Sequence, residues 1–131
     1  VDYLFARYGA GPPPPALRRG LLATAGVMLS GVGRGSAGSF VRPSRAPAKP
    51  LELYSFEASP FCRLVRERLC ELELPYWLHN VAKGSPRRQA FVARSGRMQV
   101  PYLVDPNEGV EMFESAEIIA YLTQTYACAR D

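Results

Sequence analysis

The chain has 131 residues, of which 47% are apolar, and a formal charge of +4. This length allows one domain of ordinary size, and the apolar share is typical of a globular protein with a packed core. Residues 1–50 hold seven basic residues and one acidic residue, whereas residues 51–131 hold nine basic and eleven acidic ones, so the positive charge belongs to the N-terminal segment.

A basic segment of this kind can contact nucleic acid or an anionic membrane surface, or it can be a solvated linker. Its longest run of basic residues is Arg18–Arg19, so we favour the linker and predict no specific nucleic-acid partner. The longest apolar run, 21–32, is 12 residues long, which is too short to span a bilayer.

Residues 1–50 are therefore predicted to be a basic, irregular arm or inter-domain linker. Pro12–Pro15 favours an extended polyproline conformation, 21–32 favours a short apolar helix, and 33–50 offers little to bury. The Arg- and Ser-rich, acid-poor composition is also typical of an organelle transit peptide, so that alternative stays open. Because the chain begins with Val1 rather than Met, we expect it to be a piece of a longer protein.

The pattern of apolar residues changes after Pro50, and residues 51–127 are predicted to form one α/β domain, followed by a short tail, 128–131. Strand-type alternation and helix-type periodicity follow one another in the order β-α-β-α-β-β-α. The predicted elements are a strand at 51–55, a helix at 61–72, a strand at 76–81, a helix at 85–94, strands at 100–104 and 110–113, and a helix at 116–126. This order predicts a thioredoxin-like fold, with a four-stranded mixed sheet and helices on both of its faces.

Apolar residues at helical spacing indicate which sides of two helices face the core. They are Phe61, Leu64, Val65, Leu69 and Leu72 in the first helix, and Ile118, Ile119 and Leu122 in the last. Ser85 is predicted to cap the middle helix, which we expect to end at Gly96.

The first strand leads into a helix through Ser59 and Cys62, which form a Ser-x-x-Cys motif. A helix N-terminus offers unpaired N–H groups and partial positive charge, so it stabilises a thiolate or the sulfur of a ligand. Ser59 and Cys62 are therefore candidate catalytic residues. Simple capping by Ser59 and apolar packing of Cys62 are the structural alternatives, and a Ser in the first position excludes a dithiol cycle.

The chain has three cysteines, Cys62, Cys70 and Cys128, and a single histidine, His79. This odd number at these spacings matches neither a zinc site nor a disulfide framework. We therefore predict no metal site, and a reducing compartment.

Two further features accompany this motif. Pro101 opens an internal strand, which is tolerated when a cis peptide turns the chain there, and this predicts that the backbone of Val100 is free to pair with an extended peptide. Glu114 and Ser115 lead the last helix, where they can hold the ammonium and the carboxylate of a free amino-acid end. Plain capping by Ser115 is again the structural alternative.

These motifs together resemble the N-terminal domain of glutathione S-transferases. Ala58-Ser59-Pro60-Phe61 is similar to the serine motif of the plant tau class, 99–103 to the cis-proline strand, and 113–119 to the turn and helix that bind the γ-glutamyl group. The resemblance implies that Ser59 stabilises the thiolate of glutathione. It also implies that glutathione is bound by Phe61, Arg97, Gln99, Val100, Pro101, Glu114 and Ser115, with Arg97 or Lys83 near its glycyl carboxylate.

Residues 3–5, 7–11, 70–75, 84–88 and 100–102 are similar to plastid proteins of plants and algae that carry two such domains in tandem. That likeness implies a plastid location, and it implies that this chain is a linker followed by the second copy. Two departures stand out: the chain ends at Asp131, without the helical domain that completes a transferase, and it has Ser59 where the tandem group often has cysteine.

Two functions are compatible with these features. The first is a glutathione-binding protein with transferase-like or thiol-redox activity. The second is a non-catalytic interaction subunit, in which the fold docks and the arm wraps a protein partner. A dithiol disulfide reductase ranks third, because it needs a second cysteine where Ser59 stands, and glutathionylation of Cys62 stays open.

Overall fold

The structure is a computed structural model that describes residues 2–9 and 38–128. The chain divides into two compact units, 1–37 and 38–131. In the first, Asp2–Tyr8 forms helix α1, which the sequence did not predict. The predicted polyproline run and the apolar helix at 21–32 lie outside the described residues.

The second unit has the predicted order of elements. They are β1 (Leu51–Ser55), α2 (Pro60–Glu71), β2 (Tyr76–Asn80), α3 (Arg87–Ser95), β3 (Tyr102–Asp105), β4 (Val110–Phe113) and α4 (Ser115–Tyr126). The strands form one sheet in the order β2-β1-β3-β4, with β1 and β2 parallel and the other neighbours antiparallel. The predicted four-stranded mixed sheet is confirmed, with most element ends displaced by a residue or two.

The core lies on both faces of the sheet, because alternate residues of each strand point to opposite sides. Leu51 and Leu53 belong to one apolar cluster with buried residues of α2 and α4, such as Leu69 and Leu122. A smaller cluster on the other face contains Val81, Phe91, Tyr102 and Val104. Phe91 belongs to α3, so α2 and α4 cover one face and α3 covers the other.

Helix α3 begins at Arg87 with Pro86 at the N-cap position, two residues later than predicted, and it ends at Gly96 as predicted. The hydroxyl of Ser85 accepts a hydrogen bond from the N–H of Arg87 at 3.2 Å. At the other end Gly96 has φ of 78°, a left-handed conformation that glycine adopts without steric cost, and its N–H donates to the carbonyl of Val92 at 2.8 Å.

The predicted core face of α2 is partly wrong. Val65 and Leu69 are buried as predicted, but Phe61 is 59% exposed and Leu64 is 42% exposed. Cys62 takes the buried position in the first turn instead, because the side facing the sheet runs through positions 62, 65 and 69. Ile118 and Leu122 of α4 are buried as predicted, and Ile119 is partly buried.

Residues 38–49, here called the strap, cross the C-terminal ends of α2 and α4. At α2, the N–H of Arg42 donates to the carbonyl of Glu71 at 2.6 Å, and the hydroxyl of Ser44 donates to the carbonyl of Leu72 at 2.6 Å. At α4, the N–H of Arg45 donates to the carbonyl of Tyr126 at 2.8 Å. The last carbonyls of a helix lack partners within it, so the strap supplies donors that α2 and α4 need.

These contacts place the N-terminal boundary of the domain earlier in the chain than the sequence predicts. The second unit begins at Gly38, whose N–H donates to the carboxylate of Glu71 at 3.0 Å, and not at the predicted position 51. Arg42 forms an ion pair with Glu71 at 3.3 Å, and Arg45 donates to the carbonyl of Thr125 at 3.3 Å. Part of the positive charge of the predicted arm is therefore used inside the domain, at helix ends where cations are favourable.

A buried carboxylate lies at the same end of the domain. Asp105 has no exposed surface and accepts hydrogen bonds from the hydroxyls of Tyr121, at 2.7 Å, and Tyr126. It also accepts the backbone N–H of Asn107 at 2.8 Å. The Asn107 amide in turn exchanges two hydrogen bonds with the backbone of Lys49, so this cluster ties the β3–β4 hairpin to α4 and to the strap.

Candidate functional site

The topology brings the predicted site residues to one end of the sheet. Ser55 lies opposite Asn80 in the parallel pair, Tyr102 opposite Tyr54, and Phe113 opposite Tyr102 in the antiparallel pairs. The segments after β1, β2 and β4 and the segment before β3 therefore meet at one edge, here called the site edge. The segments carry Ser59, Phe61, Cys62, Lys83, Arg97, Gln99, Val100, Pro101, Glu114 and Ser115.

Ser59 is the N-cap of α2. Its backbone is extended, with φ of −80° and ψ of 119°, and its hydroxyl oxygen accepts a hydrogen bond from the N–H of Cys62 at 3.3 Å. The capping expected as the structural alternative is therefore present. A hydroxyl that accepts one hydrogen bond still has its own proton to donate, and within the described part of the chain that proton has no acceptor.

Cys62, a candidate catalytic residue, is buried in the core. Its side chain has 0% exposure, and its thiol is free. A thiol must reach its partner to attack or resolve a disulfide. In this structure Cys62 behaves as a small apolar residue of the core.

Phe61 lies one residue before Cys62 and has the opposite environment. Its side chain is exposed in the first turn of α2, two residues after the N-cap residue Ser59. The prediction that Phe61 faces the core is wrong. Its exposure leaves the ring available to a ligand at the site edge, which is the role that the resemblance implies.

The peptide bond between Val100 and Pro101 is cis, as the sequence predicts. Val100 lies two residues before the first residue of β3, and within the described residues its backbone N–H and carbonyl form no hydrogen bond. Because backbone polar groups need partners, this unpaired segment is a place where an extended peptide can add.

The start of α4 has an unusual backbone. Glu114 is the N-cap residue with φ of 65°, a left-handed conformation that is uncommon for a residue other than glycine. Residues held in such conformations concentrate at binding sites. The N-cap residue is Glu114, which makes no side-chain capping hydrogen bond, and Ser115 is the first residue of the helix.

The carboxylate of Glu114 also accepts a hydrogen bond from the side-chain amide of Gln99. This contact joins the segment before β3 to the start of α4 across 15 positions of sequence. The sequence carries no signal for it, because neither periodicity nor a short motif relates two polar residues at that separation.

Two basic residues were predicted near a glycyl carboxylate, and both lie near the site edge. Arg97 places its guanidinium 4.1 Å from the centre of the Phe113 ring, a cation–π contact next to Glu114. Lys83 is exposed in the segment after β2. Across residues 2–9 and 38–128, no cluster of three or more His, Cys, Asp or Glu side chains is arranged to hold a metal ion. Over the same residues, no helix is long and apolar enough to cross a membrane.

Comparison with known proteins agrees with this geometry. Residues 53–130 match the family described as glutathione S-transferase, N-terminal domain. A glutathione S-transferase-like protein, OpS6, of Beauveria bassiana is 31% identical over 81 residues, which cover 62% of this chain and 37% of that protein.

Solved structures show the same fold. Glutathione transferase BmGSTD1 of Bombyx mori superposes with a TM-score of 0.56 at 24% identity, covering 65% of this chain and 39% of its own. Glutathione transferase E6 of Drosophila melanogaster has a TM-score of 0.51 at 33% identity, covering 60% of this chain and 36% of its own. This chain thus spans about two fifths of the length of these relatives.

The sheet order, the cis proline and the capped helix define a thioredoxin-like α/β domain. Within that class, the chain belongs to the family of glutathione S-transferase N-terminal domains.

Proposed function

We propose that this domain binds glutathione at the site edge and that the hydroxyl of Ser59 stabilises the glutathione thiolate for transfer to an electrophile. The observation that carries the proposal is the hydroxyl of Ser59. It accepts from the N–H of Cys62, is 7% exposed, and has a proton left to donate. A hydrogen bond from a hydroxyl to an anionic sulfur lowers the pKa of that thiol, because it favours the charged form.

The rest of the tripeptide fits the remaining segments. The ammonium of the γ-glutamyl group pairs with the carboxylate of Glu114. The α-carboxylate of the same γ-glutamyl group accepts hydrogen bonds from Ser115 and from the first N–H groups of α4. The cysteinyl backbone pairs with the free N–H and carbonyl of Val100. Pro101 fixes the turn that exposes them, and Phe61 flanks the sulfur.

Thiol-redox chemistry is disfavoured in this arrangement. Ser59 has no sulfur with which to attack a disulfide, and the thiol of Cys62 is enclosed in the core. Stabilisation of a bound thiolate is the chemistry left at the N-terminus of α2, so we prefer a transferase-like role. The relatives are more than twice as long as the part that matches this chain, so the electrophile is left out of this proposal.

The test is a titration with glutathione, read by calorimetry and by the ultraviolet absorbance of the thiolate across pH. We expect saturable binding at millimolar glutathione and a thiol pKa below the usual value of about 8.5. Ser59→Ala should reduce the bound thiolate about tenfold at a given pH, because a hydrogen bond to a charged group is removed. It should also destabilise the domain by about 1 kcal/mol, because α2 loses its cap.

Ser59→Asp separates these two effects. A carboxylate caps a helix as well as a hydroxyl does, but it has no proton to donate at neutral pH and repels a thiolate. Relative to Ser59→Ala, we expect Ser59→Asp to restore the stability of the domain but not the fraction of bound glutathione that is ionised. Ser59→Thr should retain both the stability and the bound thiolate. Absence of glutathione binding by the wild-type protein, or an unchanged thiol pKa in Ser59→Ala, would refute the proposal.

We propose a plastid location for this protein, following the sequence resemblance to plastid proteins with tandem domains. Fluorescence imaging of a tagged full-length protein in plant cells tests it, and a location outside the plastid would contradict it.

A further inference from the structure

The surface around α3 carries more positive charge than one tripeptide requires. Residues 81–104 contain five basic residues and no acidic one, although the domain from 51 onward has more acidic than basic residues. The five are Lys83, Arg87, Arg88, Arg94 and Arg97. Charge of one sign gathered in this way raises the local concentration of an anionic partner.

Arg94 differs from the other four because carboxylates neutralise it. Its guanidinium lies 2.9 Å from the carboxylate of Glu111 and 4.0 Å from that of Glu52. Glu52 is also 3.1 Å from the ring nitrogen Nε2 of His79. Arg94 therefore belongs to a network on the sheet face that α3 covers, and it is not offered to a ligand.

The other four basic side chains have no carboxylate partner among the described residues. Arg97 stacks on Phe113, and Arg88 reaches the carbonyl of Val81 at 3.5 Å. Lys83 and Arg87 are exposed. Three unneutralised cations, Lys83, Arg87 and Arg88, thus lie within six residues, where β2 passes into α3.

The direction of a bound peptide brings its C-terminal end to these cations, a step that rests on the proposed function. Its γ-glutamyl end lies at the start of α4, which packs on one face of the sheet, and its middle lies against Val100. Its C-terminal end therefore leaves on the side of α3, which packs on the opposite face. The end of β2 lies on that side, next to β1 and away from β4.

We propose that the preferred ligand is an acidic peptide thiol: a γ-glutamylcysteinyl peptide that continues past the glycyl position with carboxylate-bearing residues. Glutathione places one carboxylate on the α3 side, and Arg97 or Lys83 is sufficient to bind it. Arg87 and Arg88 then bind the additional carboxylates. The site edge selects the thiol, and the α3 surface selects the acidic extension.

The test compares three peptides on the same protein. They are glutathione, glutathione extended at its C-terminus by Asp-Asp, and glutathione extended by Asn-Asn. We expect the Asp-Asp peptide to bind about fivefold more tightly than the other two at low ionic strength, as two exposed ion pairs allow. The advantage should disappear in about 0.5 M salt, because exposed charges are then screened.

A matched set of variants assigns the effect to the surface. Arg87→Gln should reduce the advantage of the Asp-Asp peptide about two- to threefold while leaving the affinity for glutathione unchanged, and Arg87→Lys should retain it. Arg63→Gln is the control, because Arg63 is an exposed basic residue of α2 outside this surface. That variant should bind all three peptides as the wild type does.

The outcomes separate this inference from the proposed function. Equal affinity for all three peptides would overturn the acidic extension and leave glutathione binding intact. A loss of advantage in Arg63→Gln as large as in Arg87→Gln would overturn the assignment to the α3 surface. If no peptide binds, the proposed function itself fails.

Discussion

Asp105 is a single side chain that joins the β3–β4 hairpin to α4. Burial alone raises the pKa of a carboxyl, but hydrogen bonds from Tyr126, Tyr121 and Asn107 outweigh it, so the pKa of Asp105 lies below its ordinary value. The same hydrogen bonds shift the pKa values of the two tyrosine phenols in the opposite direction. Burial, and then the hydrogen bond to the carboxylate, raise the pKa values of Tyr121 and Tyr126.

We expect the domain to lose stability in acid because of Asp105. When folding lowers the pKa of a carboxyl, its ionised form stabilises the folded state. This contribution is fully present above the pKa of the unfolded chain, about 3.9. It is lost as the pH falls through the lower pKa of the folded state. The free energy of unfolding, measured in urea between pH 7 and pH 2, should therefore decline from about pH 4 downward.

Asp105→Asn identifies the group responsible. The carboxylate of Asp105 accepts from both tyrosine hydroxyls and from the backbone and side-chain N–H groups of Asn107. An amide cannot accept all four of these hydrogen bonds, so this variant should lose about 1.5–3 kcal/mol at pH 7 and show a flatter acid slope. Glu108→Gln is the control in the same hairpin, since Glu108 is exposed. An acid slope in Asp105→Asn as steep as that of the wild type would contradict the assignment.

The three cysteines differ in their exposure. Cys62 is fully buried, whereas Cys70 and Cys128 are exposed, and all three are free. We expect a thiol reagent to modify Cys70 and Cys128 rapidly in the native protein and Cys62 only after unfolding. Mass spectrometry of the modified peptides identifies them, and rapid modification of Cys62 would show that the core at α2 opens readily.

At the scale of elements, the strap is the part of the domain that its amino-acid composition does not reveal as structured. Its sequence is rich in Pro, Ala, Ser and Arg, which is typical of a linker. Its hydrogen bonds nevertheless satisfy carbonyls at Glu71, Leu72 and Tyr126. Residues 38–49 are therefore not free to wrap a protein partner, which weakens the interaction subunit as an alternative function.

Two truncations test the role of the strap. We expect the protein lacking residues 1–49 to be at least about 2 kcal/mol less stable than the protein lacking residues 1–37, because several backbone hydrogen bonds at the helix ends are lost. Chemical denaturation of both proteins measures the difference. Ser44→Ala should reproduce about 1 kcal/mol of it, and equal stability of the two truncations would show that the strap contributes nothing.

The elements of the domain were predictable because each is defined by local chemistry. Alternation predicted β1, helical period predicted α2 and α4, and Gly96 predicted the end of α3. The errors at Phe61 and Leu64 have a physical cause, since periodicity gives the apolar side of a helix but not how far the sheet covers it. The strap was missed because its hydrogen bonds to helix ends far along the chain follow no local sequence pattern.

The candidate site was predictable to a similar degree. Ser59 and Pro101 were found because a cap and a proline before a strand have local geometric reasons. The burial of Cys62 and the contact of Gln99 with Glu114 depend on how segments far apart in sequence meet. The left-handed backbone of Glu114 was missed because a glutamate gives no sign of it.

At the scale of the whole molecule, the site and the stabilising contacts lie at opposite ends of the sheet. The site edge holds Ser59, Val100 and Glu114, at the ends where α2 and α4 begin. The strap and Asp105 lie where those helices end. The apolar core between the two ends connects them through α2 and α4.

This separation has a consequence for how the protein can evolve. A substitution at the site edge that broadens ligand specificity can reduce the stability of the domain. A stabilising substitution in the strap, at the other end, can offset that loss. Changes at sites that share no contacts combine almost additively, so specificity and robustness can be selected independently. Directed evolution of Arg87 and its neighbours should therefore tolerate more variants in a background whose strap has first been reinforced.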